Sequence, residues 1–391
     1  MEKKLATLQT KLAGITDFRK KKGMRYRLVD LLFSAFVAVL CGADDFEAMA
    51  MFCRHKKEFL SKFCAFGEKT PSHDTFRQLF ASLDNRVFLT TILDWLGAAE
   101  ALREKVLVNI DGKALRATRT GEHVKSALQV VSAWLSEEGL ILGQEQVESK
   151  SNEKTAIPIL LDSLELRGSM VSIDAMGTHP KIAEKIVERG GDYLLALKKN
   201  NKNFYKEVEN YFEHLSDIPV IDAGGNRVEK NAGRTEERQV FVSYQTAYFG
   251  ELTDSWKNIA SIIKVVSKRI KNEKESAEAR FYISSCKLTA QEAQYYIRRH
   301  WSIENELHWY LDVVFKEDKH RIRYKNTTQN MSLIRKLALK VLKDYDGSKE
   351  SVAHKRLQLA WDDKLLTNIL QKFSCVSPGI MAIRTDNQHF L

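Results

Sequence analysis

At 391 residues the chain is longer than one simple domain, and its 44% hydrophobic and 9% aromatic content belongs to a protein with a packed core, which excludes a disordered or low-complexity chain. Sixty-one Lys and Arg against 51 Asp and Glu leave a net charge of +10, which points toward a polyanionic partner without proving one. The five cysteines (Cys41, Cys53, Cys64, Cys286, Cys375) are scattered with no CxxC pair, so a cysteine zinc site and a disulfide framework are excluded and a reducing cytosol is expected.

The opening "MEKKLATLQTKLAG" has no long apolar core and is not expected to act as a signal peptide. In "LVDLLFSAFVAVLCGADDFEAM" the apolar part, Leu31 to Ala43, is too short to span a bilayer and predicts a buried helix. Apolar residues recur at helical spacing through Leu31, Leu32, Phe36 and Leu40, and again through Phe76, Leu79, Phe80 and Leu83. "TPSHDTFRQLFASLD" starts like a capped helix, with Ser72 or Asp74 as the acceptor. Residues 1–100 therefore form a helical domain, for DNA binding or for support and dimerisation; no helix rich in Arg and Asn marks a recognition element.

From residue 105 the texture changes. "KVLVNIDGK" is a β-branched run ending in an acid, and "SALQVVSAWLSEEGLILGQEQVES" is two strand-like runs joined by the turn "SEEG". "NEKTAIPILLDSLEL" predicts a helix, "SMVSIDAMG" a buried strand, "HPKIAEKIVERGG" an amphipathic helix closed by Gly190 and Gly191, and "DYLLALK" a further strand. Strand, strand, strand, helix, strand, helix, strand indicates a mixed α/β sheet. Residues 199–288 predict a mainly β insertion, and from "TAQEAQYYIRRHWSIENELHWYLDVVF" onward the chain is helical again.

Three acids stand out. Asp111 and Asp174 each end a hydrophobic run where a strand meets a loop, a position that suits a rigidly held catalytic acid and equally suits a turn cap. "HWSIENELHW" packs two Trp, two His and two Glu into ten residues of a helix begun near Thr289. Helical spacing sets Glu304 on one face with His300, Leu307 and Leu311, so its carboxylate is expected to point inward, while Trp301 and Trp309 are expected to dock the helix. Three carboxylates suit Mg²⁺ or Mn²⁺, and two such ions ~3.5–4 Å apart suit phosphodiester chemistry. A zinc site on His300, Glu304 and His308 is disfavoured: its outer ligands would stand ~12 Å apart along a helix, and no H-E-x-x-H occurs.

The chain resembles the DDE-type transposases of bacterial insertion sequences, in particular the H-repeat-associated group. The resemblance rests on "YRLVDLLFSAFVAVLCGADDFEAMAMFC", "PSHDTFRQLFASLD", "IDGKALR", "KSNEKTAIPILLDSLEL", "SIDAMGTHPKIAEKIVERGGDYLLALKKN", "GRTEER" and "RRHWSIENELHWYLDVVFKEDKHRIR". The last resembles the third-acid signature, a basic residue followed by Trp, any residue, Ile and Glu. Ile297, His300 and Leu311 stand where the wider class often has Tyr, Arg and Lys, and Ala232 and Asn201 where the group usually has His and Gln. The resemblance implies an α/β fold: a ribonuclease-H-like mixed sheet with a β-rich insertion, preceded by the helical N-terminal domain and followed by a helical C-terminal region. It implies core segments at 101–198 and 289–345 around the insertion at 199–288, with a tail at 346–391.

It also implies Asp111, Asp174 and Glu304 as catalytic acids and ligands of two Mg²⁺ or Mn²⁺ ions. The implied reaction is cleavage and strand transfer of double-stranded DNA, at the element's terminal inverted repeats and in the target, by a dimer on DNA in the bacterial cytoplasm. An inactive DNA-binding derivative and a metal-dependent nuclease remain alternatives. The cations expected to contact DNA are Lys113, Arg116, Lys198, Lys199, Arg234, Arg238, Arg299, His300, Lys316 and Lys319. The segment Lys316 to Arg356 carries 12 Lys and Arg against 5 Asp and Glu and is expected to lie along DNA.

Overall fold

A computed structural model describes residues 6–20, 24–97, 106–118, 127–147, 153–214, 221–231, 234–271, 274–321, 324 and 326–373. They form two units, one from Met1–Leu102 with Leu311–Leu391 and the other from Arg103–Tyr310. The first unit opens with α1 (Ala6–Ala13), α2 (Leu28–Leu40), α3 (Phe46–His55), α4 (Lys57–Leu60), α5 (His73–Ser82) and α6 (Asn85–Trp95). Helix α2 is buried on every side, as thirteen mostly apolar residues require. Its one acid, Asp30, accepts two hydrogen bonds from Arg27, both 2.8 Å, which offset the cost of burying the charge. Among the described residues no helix is long and apolar enough to cross a membrane. Side-chain caps set the helix starts: Asp45 for α3, Ser72 for α5 and Asp84 for α6.

The second unit is built on a nine-stranded sheet ordered β3-β2-β1-β4-β5-β9-β8-β7-β6. Its strands are β1 (Leu107–Leu115), β2 (Leu128–Leu135), β3 (Leu140–Val147), β4 (Met170–Ile173), β5 (Asp192–Leu197), β6 (Ile221–Asn231), β7 (Arg234–Ser243), β8 (Ser261–Lys271) and β9 (Lys274–Ser284). β1, β4 and β5 run parallel, and β2 and β3 form the expected hairpin, with Gly139 at φ +59° in its turn. The stretch read as an insertion continues this sheet, because β9 pairs antiparallel with β5 and β6 to β9 extend it as a meander.

Helices α7 (Glu153–Asp162), α8 (Pro180–Glu188), α9 (Lys202–Glu213), α10 (Glu251–Asp254) and α11 (Ala290–His300) accompany the sheet. Ala290, Ala293, Tyr296 and Ile297 of α11 pack on Leu107, Met170, Leu194 and Val240, so α11 covers one face across several strands. Ile173 points to the other face, where α7 sits so close that a Cβ on Gly177 would fall 2.5 Å from Ile173 and 2.6 Å from Ile157.

After α11 the chain forms a π-helix at Ile303–His308 and then α12 (Trp309–Val313). The first unit closes with α13 (Thr327–Asp344), α14 (Val352–Trp361) and α15 (Asp363–Phe373). Buried Asn330 donates to the Phe80 and Leu83 carbonyls at 2.9 Å, seating α13 on the end of α5.

The expectation that Lys316 to Arg356 lies along DNA fails for much of the segment. Arg335, Lys336, Lys340, Lys355 and Arg356 are buried. Arg356 meets Asp44 at 2.7 Å, donates to the Val39 and Val314 carbonyls and stacks on Phe315, while Lys355 donates to the Leu342 and Tyr345 carbonyls. These cations satisfy helix ends and acids within their own unit; linear charge density cannot distinguish that use from a DNA-facing surface.

Candidate active site

Asn109 and Asp111 share one face of β1 by strand alternation, and Ser172 and Asp174 share the matching face at β4. Parallel pairing sets Asn109 beside Ser172, so the two acids come next to each other one step beyond the last paired residues, Ile110 and Ile173. Asp174 lies just past β4, and its Oδ1 accepts from the Met176 backbone at 3.0 Å, so it also caps the turn. Asp111 differs from expectation: β1 continues to Leu115 in register with β2, and the acid sits within the strand.

Glu304 lies in the π-helix. The wider turn breaks the predicted shared face: Ile303, Leu307 and Leu311 are fully buried, whereas Glu304 is exposed toward a cavity. That cavity, about 460 Å³, is lined by Asp111, Asp174 and Glu304 together with Lys198, Lys199, Tyr205, His300, Trp301 and the ion pair Arg280–Glu278, 2.9 Å apart. The three expected acids thus meet in one space. Among the described residues no three His, Cys, Asp or Glu side chains form a ready-made ion cage.

The tryptophans do not dock the helix as expected. Trp301 is 36% exposed and Trp309 51%. Docking comes from Asn109, whose Nδ2 donates to the Arg299 carbonyl at 2.8 Å and to the His300 carbonyl at 3.2 Å, where α11 runs out of internal partners. Ser136, Ser172 and Ser302 complete this buried network, and Ser172 also meets His300 Nδ1 at 2.8 Å. Trp301 is a cavity wall instead, with the Arg280 guanidinium 5.2 Å from its ring centre.

Electrostatics tie the acids together. The surrounding protein raises the Glu304 carboxyl above its ordinary range, and the charges of Asp111 and Asp174 push it further, against His308 and Arg280. Burial lowers His300 below the ordinary imidazole range and so favours its neutral form, partly offset by Asp111 and Asp174. His308 Nδ1 stands 3.3 Å from Asp111 Oδ2, and its Nε2 is buried with no hydrogen-bond partner among the described residues.

The expected DNA-contacting cations divide. Lys198, Lys199 and His300 line the cavity. Arg116 is exposed on the 3₁₀ turn after β1. Lys113 is buried, Arg238 is held by Glu236 at 2.7 Å, and Arg299 binds the Ser136 carbonyl and Glu306, so none of these three is offered outward as an open cation. Lys316, 3.6 Å from Asp44, and exposed Lys319 belong to the other unit. Only the backbone of Arg234 is described, as the first residue of β7, and Ala232 lies outside the described residues. Of the positions departing from the wider class, Ile297 and Leu311 are buried. Arg280, Asn109 and Ser172 were missed, and His308 was weighed only as a zinc ligand and not as a partner of Asp111. Arg280 sits on a strand whose sequence carries no signal, but Asn109 and Ser172 each precede a singled-out acid by two residues, which strand alternation makes readable.

Residues 103–340 match the family described as Transposase DDE domain, and residues 9–96 match the one described as DDE_Tnp_1-associated. A protein of Escherichia coli O157:H7 named "Putative transposase YncI" is 35% identical over 96% of this chain and 96% of its own length. "H repeat-associated putative transposase YhhI" of Escherichia coli strain K12 is 33% identical over 94% of this chain and 98% of its own. A solved piggyBac transposase synaptic complex with hairpin DNA overlays 97% of this chain and 80% of that one at 12% identity; its TM-score of 0.39 is too low to bear on the fold.

Proposed function

The chain belongs to the DDE transposase family, among its H-repeat-associated members, and on that premise we propose that it binds the ends of a mobile DNA element, cuts there and joins the freed ends to a target. The observation that carries this reading is the meeting of Asp111, Asp174 and Glu304 in one cavity bordered by Lys198, Lys199 and Arg280. The core is ribonuclease-H-like, a reading supported by the order β3-β2-β1-β4-β5 in which β2 alone runs opposite to the other four strands.

The donor set fits hard divalent cations, because it is all carboxylate oxygen, and Glu304 is raised first by desolvation and then by Asp111 and Asp174, a charge repulsion that a cation would remove. Asp111, Asp174 and Glu304 would hold Mg²⁺ or Mn²⁺, which would supply activation of the attacking oxygen and stabilisation of the leaving one. The chain's other groups have separate work. Lys198 and Lys199 draw the phosphates in, Arg280, paired with Glu278 and stacked on Trp301, shapes the wall, and His308 orients Asp111. Neutral His300, bonded to Ser172, adds no positive charge against the acids' cation and fixes the start of the π-turn. Water cleaves one phosphodiester to leave a 3′-hydroxyl, and that hydroxyl then attacks a target phosphodiester, one P–O bond breaking as the other forms. Joining two ends in one event calls for a dimer on DNA.

The test is a joining assay with purified protein, a duplex carrying the element's terminal inverted repeat, a supercoiled target and Mg²⁺. Joined products that vanish with Asp111→Asn, Asp174→Asn or Glu304→Gln support the reading. Cutting without joining would leave a nuclease, and binding with neither would leave a DNA-binding derivative.

A further inference from the structure

The buried network beneath the end of α11 fixes more than a helix. Asn109 Nδ2 faces the carbonyls of Arg299 and His300, and a carbonyl only accepts, so the amide nitrogen must point to α11. Its Oδ1 is thereby turned to Ser172, whose hydroxyl donates to it at 2.6 Å. A hydroxyl carries one hydrogen. With that hydrogen committed to Asn109, Ser172 Oγ accepts at its other contact, His300 Nδ1, 2.8 Å away. Nδ1 therefore carries the imidazole hydrogen. Asn109 and Ser172 are both almost wholly buried, so water does not compete for these bonds.

A neutral imidazole has one N–H and one bare nitrogen, and here the bare one is Nε2. Burial favours that neutral form. Trp301 packs edge-on against the ring, centroids 5.8 Å apart at 76°, and helps to hold its plane. Among the described residues Nε2 has no hydrogen-bond partner, and unlike His308 Nε2 it is not enclosed. The ring lines the cavity that holds Asp111, Asp174 and Glu304. The other groups there differ in kind. Lys198, Lys199 and Arg280 donate and do not accept, while the three carboxylates are charged and suited to a cation. His300 Nε2 is an uncharged acceptor held at a fixed angle beside them.

We propose that His300 Nε2 accepts a hydrogen bond from the attacking hydroxyl, water in the cutting step and the 3′-hydroxyl in the joining step. Holding the O–H hydrogen at Nε2 turns an oxygen lone pair toward phosphorus before the P–O bond forms. Ser172 and Asn109 are positioning residues, since they set which nitrogen of His300 is bare. The proposal deepens the cutting-and-joining reading of the cavity and rests on it.

Two substitutions separate the two ends of the ring. An Asn amide reaches about as far as Nδ1, and a Gln amide about as far as Nε2. His300→Asn can still donate to Ser172 but offers the cavity nothing, whereas His300→Gln presents an amide oxygen to the cavity and loses Ser172. The joining kcat of His300→Asn is expected to fall about a hundredfold with KM for the end duplex unchanged. His300→Gln is expected to join faster than His300→Asn in spite of a lower Tm. A merely structural histidine gives the opposite order, because Asn keeps the network. A measurement that needs no turnover is ¹⁵N NMR of histidine-labelled protein without DNA. It should show a pyridine-type Nε2 and a pyrrole-type Nδ1 for His300, assigned by loss of the signal in either variant or by its shift in Ser172→Ala. His300→Asn at the wild-type rate or faster than His300→Gln, or the reversed tautomer, would overturn the proposal while a wild-type protein that still joins ends upholds the proposed function. A wild-type protein that neither cuts nor joins sinks both.

Discussion

Glu304 carries two opposed tendencies. Its charge would serve the proposed cation, but partial desolvation by the surrounding protein and the two aspartates favour its protonated form. A carboxyl raised in the folded state holds its proton more tightly there than in the unfolded chain. Its stabilising share is therefore present at low pH and lost as pH rises through the raised value. Glu304→Gln removes a penalty at neutral pH, so in EDTA at pH 7 the variant should melt no lower than wild type, with the difference closing toward acid, while joining activity is lost. A melting midpoint well below wild type at pH 7 would show that the carboxylate is a structural partner instead. Trp301 belongs to the same scale. Partly exposed against Arg280, it should lose only about 1 kcal/mol as Trp301→Ala, read by urea unfolding, the size of an exposed cation–π contact.

The elements meet through a few buried polar groups. Asn109 holds the end of α11 to the sheet, so Asn109→Ala strands two backbone carbonyls and should cost about 1–3 kcal/mol in urea unfolding. The joining rate should fall further than DNA affinity, because the network aims Glu304 and touches no DNA. Equal losses in rate and affinity would count against that division. Glu236 plays a similar part between β7 and β8. Burial alone would raise its carboxyl, but Arg269 at 3.1 Å and Arg238 at 2.7 Å hold it below the ordinary 4.5. A depressed carboxyl stabilises above its ordinary value and loses that share as pH falls through the depressed one. Glu236→Gln should thus cost about 1–2 kcal/mol at pH 7 and progressively less as the pH falls below the ordinary carboxylate range, compared by urea unfolding.

For the whole molecule, charge divides between what holds the fold and what is presented outward. Arg356 is a core group, joined to Asp44, Val39 and Val314, so Arg356→Ala should lower stability by about 3–5 kcal/mol, measured by denaturant unfolding, and leave the salt slope of DNA binding unchanged. A flattened slope with intact stability would restore it to a DNA surface. Divalent cations belong to this scale as well. Chelation with EDTA should stop cutting and joining while gel-shift binding to end duplexes persists, since Lys198 and Lys199 at the cavity keep their charge without a divalent cation.

The order of strands and helices from β1 to β5, a helix beginning near Thr289 and the candidacy of the three acids were legible in the sequence by itself. Local periodicity, cap chemistry and a recognisable motif are properties of short stretches. The tertiary structure alone decided four things: that β6 to β9 extend the core sheet, that a π-turn frees Glu304 from the buried face of its helix, that Trp301 lines a cavity, and that five cations of the 316–356 segment are buried. Each depends on partners distant in sequence: β5 for β9, Asn109 for the end of α11, Arg280 for Trp301, Asp44 for Arg356. A side chain's charge or apolarity is set by its own chemistry, but whether it faces a core, a cavity or DNA is set by what folds against it.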